Sequence, residues 1–141
     1  MIRAVIDTSV LVRYLIKPSA VIRELIEVRW LSDQVQMVTS PELIAELEGV
    51  LRRDYIQASI RLEEGQVLLD AIHLKAEILP PLGLIPSYTR DPKDDRFVAC
   101  ALAGDARYIV TVDKDLLILE SLGDVRIMTP YEFVRMLQDS S

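Results

Sequence analysis

The chain of 141 residues is half apolar and about a quarter charged, which suits one globular domain large enough to bury a core without staples. A formal net charge of −6 and a pI near 4.8 exclude a broad basic face for nucleic acid, so a polyanionic substrate needs a local offset: a metal ion among the acids, or basic side chains beside them. Its single cysteine, Cys100, excludes an internal disulfide and a cysteine metal cluster, and no apolar run approaches the roughly twenty residues of a membrane span.

The N-terminus shows no basic region followed by an apolar stretch and cleavage site, so a cytoplasmic protein is expected. Ile2 to Ile6 is a β-branched apolar run that reads as a short buried strand. It stops at Asp7-Thr8-Ser9, and apolar residues then resume at helical spacing from Val10 to Ile16, where Pro18 ends the helix. Asp7 therefore stands just past the C-terminal end of a strand, the edge at which open α/β sheets bind ligands; capping the next helix is its plainer role.

Ser19 is placed to cap a second helix, Ala20 to Leu31, with Val21, Ile22, Leu25, Ile26 and Val28 as its apolar face. Gln36-Met37-Val38 is a strand. Ser40-Pro41-Glu42 then starts a helix running to about Arg53: a capping hydroxyl, a proline in the first turn, and an early acid. At about 100° per residue Glu46 falls beside the stripe of Leu43, Leu47 and Val50, on its rim. A longer helix is expected from Ser59 to Leu79, with Gly65 as a point of breakage and Val67, Leu68, Ala71, Ile72 and Ile78 facing the core. It carries the lone histidine, His73, which cannot build a zinc site by itself. A brief strand is expected at Leu84-Ile85.

Arg90 to Arg96 holds Asp91, Asp94 and Asp95 at the start of a helix of small and apolar residues that Gly104 ends. One cap needs one acid, so a second and third entering an almost uncharged helix invite a counter-ion. Tyr108 to Asp113 repeats the opening figure of a β-branched strand, a threonine and an aspartate, with Asp115 expected as the cap of the helix that follows. Arg126-Ile127-Met128 is a last strand, and Thr129 to Glu132 is a capping box opening a final helix. Alternating short apolar strands and helices imply an α/β fold with a short parallel β-sheet flanked by helices on both faces. A single domain is expected over 1–138, with 139–141 as a frayed tail.

Asp7, Glu46, Asp94 and Asp113 thus come from four distant segments with a reason to meet. Like charges held close raise one another's pKa unless a cation joins them, and a hard oxygen donor set without histidine or cysteine suits Mg²⁺ or Mn²⁺. Such an ion can activate water and stabilise in-line attack on a phosphodiester.

On Ile6-Asp7-Thr8-Ser9, Ser40 to Leu47, Asp94 to Ala101, Val110-Thr111-Val112-Asp113 and Met128 to Phe133, the chain resembles the PIN-domain ribonucleases, especially the VapC-like toxins of toxin–antitoxin pairs. The resemblance spans nearly the whole chain. It implies a Mg²⁺- or Mn²⁺-dependent endoribonuclease, a homodimer silenced by a small antitoxin, with Asp7, Glu46, Asp94 and Asp113 as its catalytic, metal-holding acids. Asp95 is the reserve for Asp94, and Ser9 and Thr111 support the site through hydrogen bonds. Arg13, Lys17, Arg90, Lys93, Arg96 and Lys114 are candidates for RNA phosphates. Two other readings stand beside it: a catalytically idle PIN-fold module that binds RNA or protein, and a different Mg²⁺-dependent phosphoryl-transfer enzyme or phosphatase. A haloacid-dehalogenase-like site wants an aspartate where Ser9 stands, and no Gly-rich phosphate loop of the Walker kind is present.

Overall fold

Strands with apolar residues on both faces must be covered on both, and alternate residues of the central strands do go to opposite layers. In the computed structural model, which describes residues 1–140, Ala4 and Ile6 of β1 (Ile2–Ile6) face one core while Val5 faces the other. Val110 and Met128 join the first core, and Ile109 and Ile127 the second. Ser141, the last residue of the expected tail, lies outside the described residues.

The remaining elements follow in order. Helix α1 (Thr8–Ile16) leads to α2 (Ala20–Arg23), which runs directly into a π-helical segment, Glu24–Trp30. Then come β2 (Val35–Thr39), α3 (Pro41–Leu51), α4 (Asp54–Gln57), α5 (Leu62–Lys75), β3 (Glu77–Ile78) and α6 (Pro92–Ala103). The chain closes with β4 (Tyr108–Val110), α7 (Lys114–Leu117), β5 (Ser121–Leu122), β6 (Val125–Met128) and α8 (Pro130–Asp139). The sheet order is β3-β2-β1-β4-β6-β5, parallel throughout except for the antiparallel edge pair β5–β6. The fold is α/β with helices on both faces, as the strand–helix rhythm implies.

Local signals act where they were read. Ser19 accepts from the Ile22 N–H, Ser40 from the Leu43 N–H, and Thr129 and Glu132 close a full capping box. Cys100 is a wholly buried core residue whose thiol burial pushes up to about 12.

Three expectations need correction. The helix from Ser59 to Leu79 is instead α5, which runs unbroken through Gly65, and the two-residue strand β3, so Ile78 sits on a sheet edge and Val67 on the outer face of α5, 67% exposed. Backbone pairing with Thr39 overrides helical propensity there: the Leu79 N–H donates to Thr39 O at 2.9 Å. Leu84-Ile85 forms no strand, and Leu84 is fully exposed. The third correction is the π segment, whose i→i−5 bonds, such as Leu31 N–H to Ile26 O at 3.2 Å, widen the turn. Val28 and Leu31 swing outward and Trp30 enters the core.

Gly104 ends α6 for lack of space rather than for backbone freedom, because its φ of −94° suits any residue. A Cβ there would stand 2.4 Å from Val38 Cγ1 and 3.1 Å from Leu79 Cδ1. Val38 is a stiff, fully buried β-branched side chain, so it cannot yield cheaply. Gly104→Ala is expected to cost about 1–3 kcal/mol by overpacking, a fall in Tm of roughly 3–10 °C by thermal melting; an unchanged Tm would show that β2 and α6 can part freely.

Candidate active site

Asp7 follows β1 directly, and its own N–H donates to Val110 O at 2.9 Å, extending the β1–β4 pairing by one step. From β1 the chain passes outward through β2 to β3 on one side, and later through β4 to β6 on the other. The site thus lies where the strand order reverses, at the C-terminal sheet edge. Asp7 occupies the N-cap position of α1, yet its carboxylate makes no capping bond. Its Oδ2 instead accepts from Thr111 Oγ1 at 2.6 Å and from Ser9 Oγ at 2.8 Å.

Thr111 is wholly buried, and its Oγ1 also accepts the Asp113 N–H at 2.9 Å. One hydroxyl has one proton. With its lone pair on the Asp113 backbone, that proton goes to Asp7, so Thr111 joins the two strand-end acids. Ser9 repeats the arrangement more loosely, accepting from the Val112 N–H at 3.5 Å. Thr111→Val keeps the shape but strips the Asp113 N–H of its acceptor and Asp7 of a donor; a loss of about 1–3 kcal/mol is expected. Faster hydrogen exchange at the Asp113 amide would accompany it, and an unchanged amide would break the proposed linkage.

Asp113 caps α7, its Oδ1 accepting the Asp115 N–H at 2.9 Å. Asp115, expected as that cap, is instead exposed. The helix starts at Lys114, two residues earlier than a cap at Asp115 would place it.

At the start of α6 the three acids divide. Asp91 is the cap, accepting from the Lys93 N–H at 3.0 Å. Asp94 and Asp95 are each only 5% exposed. Asp95 Oδ1 turns to the preceding loop and accepts the N–H groups of Tyr88 at 2.9 Å and Thr89 at 2.6 Å. Asp94 lies within electrostatic reach of the other acids, and its buried Oδ2 has no partner. Burial, followed by Asp113, Asp91, Asp7 and Asp115, pushes its carboxyl up to about 7.

Glu46 is half-buried on the rim of α3, with Oε2 buried and without a partner. Burial and then Asp7 raise its carboxyl, while Arg96, Lys93 and Arg53 lower it. Burial likewise raises Asp7, opposed by the hydrogen bonds of Thr111 and Ser9 and reinforced by Asp113. The structure therefore brings Asp7, Glu46, Asp94 and Asp113 into one electrostatic neighbourhood with Asp7 at its centre.

Of the basic candidates, Lys93 and Arg96 reach this neighbourhood. Arg53, beyond α3, also does, although nothing local in the sequence singles it out. Arg13, Arg90 and Lys114 are exposed, and Lys17 is carried past the far end of α1, about 13 Å from its start at 1.5 Å per residue. His73 lies on the surface of α5 with Nδ1 2.8 Å from Leu69 O.

Among the described residues no three Asp, Glu, His or Cys side chains form a ready metal-holding group. The carboxylates are neighbours without yet converging on one point. Their chemistry fits a hard divalent cation: all-oxygen donors, with Asp7, Glu46 and Asp94 raised by burial and then by neighbouring acids, and two buried oxygens left unpartnered.

A family model described as "PIN domain" matches residues 3–115. Among solved structures, the chain is similar to one from the crystal structure of VapBC2 from Rickettsia felis bound to a DNA fragment from their promoter. The TM-score is 0.58 at 18% identity, covering 89% of this chain and 97% of that one. The likeness is one of fold. No curated protein gives a match.

Proposed function

This chain belongs to the PIN-domain family, and from that premise we propose that it is a divalent-metal-dependent endoribonuclease, the toxin of a toxin–antitoxin pair. The observation that carries the reading is the gathering of Asp7, Glu46, Asp94 and Asp113 from four separate segments at one sheet edge, with carboxylate oxygens buried and unpartnered. Leaving such groups without a partner costs stability, which is the mark of a site kept for chemistry rather than for folding.

Asp7, Asp94, Asp113 and Glu46 would hold Mg²⁺ or Mn²⁺, which supplies a water activated for attack on phosphorus and a positive charge for the phosphodiester. The chain's own groups supply the orientation. Thr111 and Ser9 fix Asp7, and Asp95 remains a supporting residue, since its Oδ1 is engaged with the loop backbone. Lys93 and Arg96 offset the acids and supply phosphate contacts, which reconciles an RNA substrate with a net charge of −6. Arg13, Lys17, Arg90 and Lys114 stand as outer contacts along the RNA.

A small antitoxin as partner is supported by the VapBC2 neighbour, itself a complex. A groove of about 750 Å³ also supports a protein partner; Tyr14, Ile26, Trp30, Leu31 and Val67 are among its lining residues. We further propose a homodimer in the cytoplasm; among the described residues no helix is long and apolar enough to cross a membrane.

Mixed single-stranded RNA incubated with the purified protein and Mn²⁺, with EDTA, and with an identically prepared Asp94→Asn variant tests the reading. Cleavage only by the wild type with metal is expected. Equal behaviour of wild type and variant would overturn it in favour of an idle PIN-fold binding module.

A further inference from the structure

The two strand-end acids are joined through the Thr111 hydroxyl. The two helix-borne acids, Glu46 on α3 and Asp94 on α6, are linked in another way. Between the ends of these helices runs the segment 82–89, and each helix fastens it with a carboxylate. Glu42, one turn before Glu46, accepts the Leu82 N–H on Oε2 at 2.8 Å. Asp95, next to Asp94, takes the Tyr88 and Thr89 N–H groups.

Helical geometry gives these clamps directional force. Residues i and i+4 share a face, so fastening Glu42 fixes the face of α3 that carries Glu46. Adjacent residues point about 100° apart, so turning Asp95 onto the loop fixes the direction in which Asp94 leaves the helix. A carboxylate accepting backbone N–H groups makes bonds roughly twice as strong as neutral ones. The span between the clamps holds Gly83 at a φ of 71° and the fully exposed Leu84, and it belongs to no helix or strand. Without its two ends held, such a segment would open readily.

We propose that the segment 82–89 is a strut setting the separation of Glu46 from Asp94, and that Glu42 and Asp95 are positioning residues acting through it on divalent-metal binding. This rests on the metal-dependent reading of the site. Asparagine and glutamine keep the accepting oxygen and alanine removes it, which separates positioning from charge. Wild type, Asp94→Asn, Asp95→Asn, Asp95→Ala, Glu42→Gln and Glu42→Ala are titrated with MnCl₂ alone, without RNA. The readouts are Tm against Mn²⁺ concentration and hydrogen exchange at the Leu82, Tyr88 and Thr89 amides.

The alanine variants are expected to need about ten- to a hundredfold more Mn²⁺ for the same Tm rise, as when groups that orient metal ligands are lost, while the amide-bearing variants stay within about threefold of wild type. Exchange at the clamped amides quickens only in the alanine variants. Asp95→Asn as unresponsive as Asp94→Asn would overturn the proposal by making Asp95 a ligand; alanine variants titrating like wild type would overturn it by making the strut irrelevant. A wild type without any Mn²⁺ response would instead overturn the metal reading, and the first arm alone reveals that. Should Asp95→Ala fail to fold, the Glu42 pair decides, because that side chain is only partly buried.

Discussion

Asp7→Asn is expected to lower metal-dependent cleavage by about 10²–10³-fold, the scale on which removing one preorganised electrostatic group acts, and at the same time to raise the Tm of the metal-free protein. The two effects share a cause. Asp7 is 5% exposed, and burial is the largest influence raising its carboxyl, with Asp113 adding repulsion. An amide of the same shape still accepts from Thr111 and Ser9 but carries no charge to desolvate. A few degrees of added stability should appear in a melting curve taken with EDTA, and the Mn²⁺-dependent rise seen in wild type should vanish. If the variant melts lower than wild type in EDTA, the Asp7 charge is stabilising and the assignment to a strained, cation-seeking cluster fails.

A fall in metal-free stability between about pH 4 and pH 7 is expected from Asp94. Its ordinary pKa of 3.8 is raised to about 7 in the folded chain. Across that window the native state keeps a proton that the unfolded chain has released, so stability declines as pH rises and levels off above the folded value. Asp7 and Glu46, also raised, act with the same sign. Glu77, lowered by its hydrogen bond with Arg3, acts oppositely: its contribution disappears as pH falls through its folded pKa. Bound metal reverses the main trend, because ligands must lose their protons to bind it. Tm followed against pH in EDTA should therefore slope downward, flatten in Asp94→Asn, and turn upward with Mn²⁺. A metal-free wild type that gains stability from pH 5 to 7 would sink the assignment.

What was legible in the sequence was whatever local chemistry decides. Runs such as Ile2–Ile6 and Tyr108–Val110 announce buried strands because their side chains are mostly apolar and β-branched or aromatic, with Arg3 the charged exception, and Ser40-Pro41 and Thr129-Pro130 announce helix starts because caps act within three residues. The neighbouring of Asp7, Glu46, Asp94 and Asp113 was readable from their positions at strand ends, a helix start and a helix rim. What was hidden depends on distant partners. Strand β3 has exposed side chains and exists through backbone bonds to β2, so no periodicity marks it. The clamp from Glu42 spans forty residues to Leu82. The division of labour between Asp94 and Asp95 was unreadable because neighbouring identical residues differ only in which way the loop and the cluster pull them. Arg53 likewise gains its place beside Glu46 from tertiary packing alone.

The π-helical stretch Glu24–Trp30 bears on how chains of this kind are compared. A helix wound more widely than α absorbs a spare residue without lengthening, so gaining or losing one there changes rotation more than reach. Deleting one residue and restoring ordinary winding would turn everything beyond the deletion by about 100°, carrying Trp30 off the core and bringing an exposed neighbour such as Leu31 toward it. A gap of one position in an alignment of related sequences across this stretch therefore marks an exchange of inner and outer faces, and residues paired by simple ordinal count beyond it are not spatial equivalents.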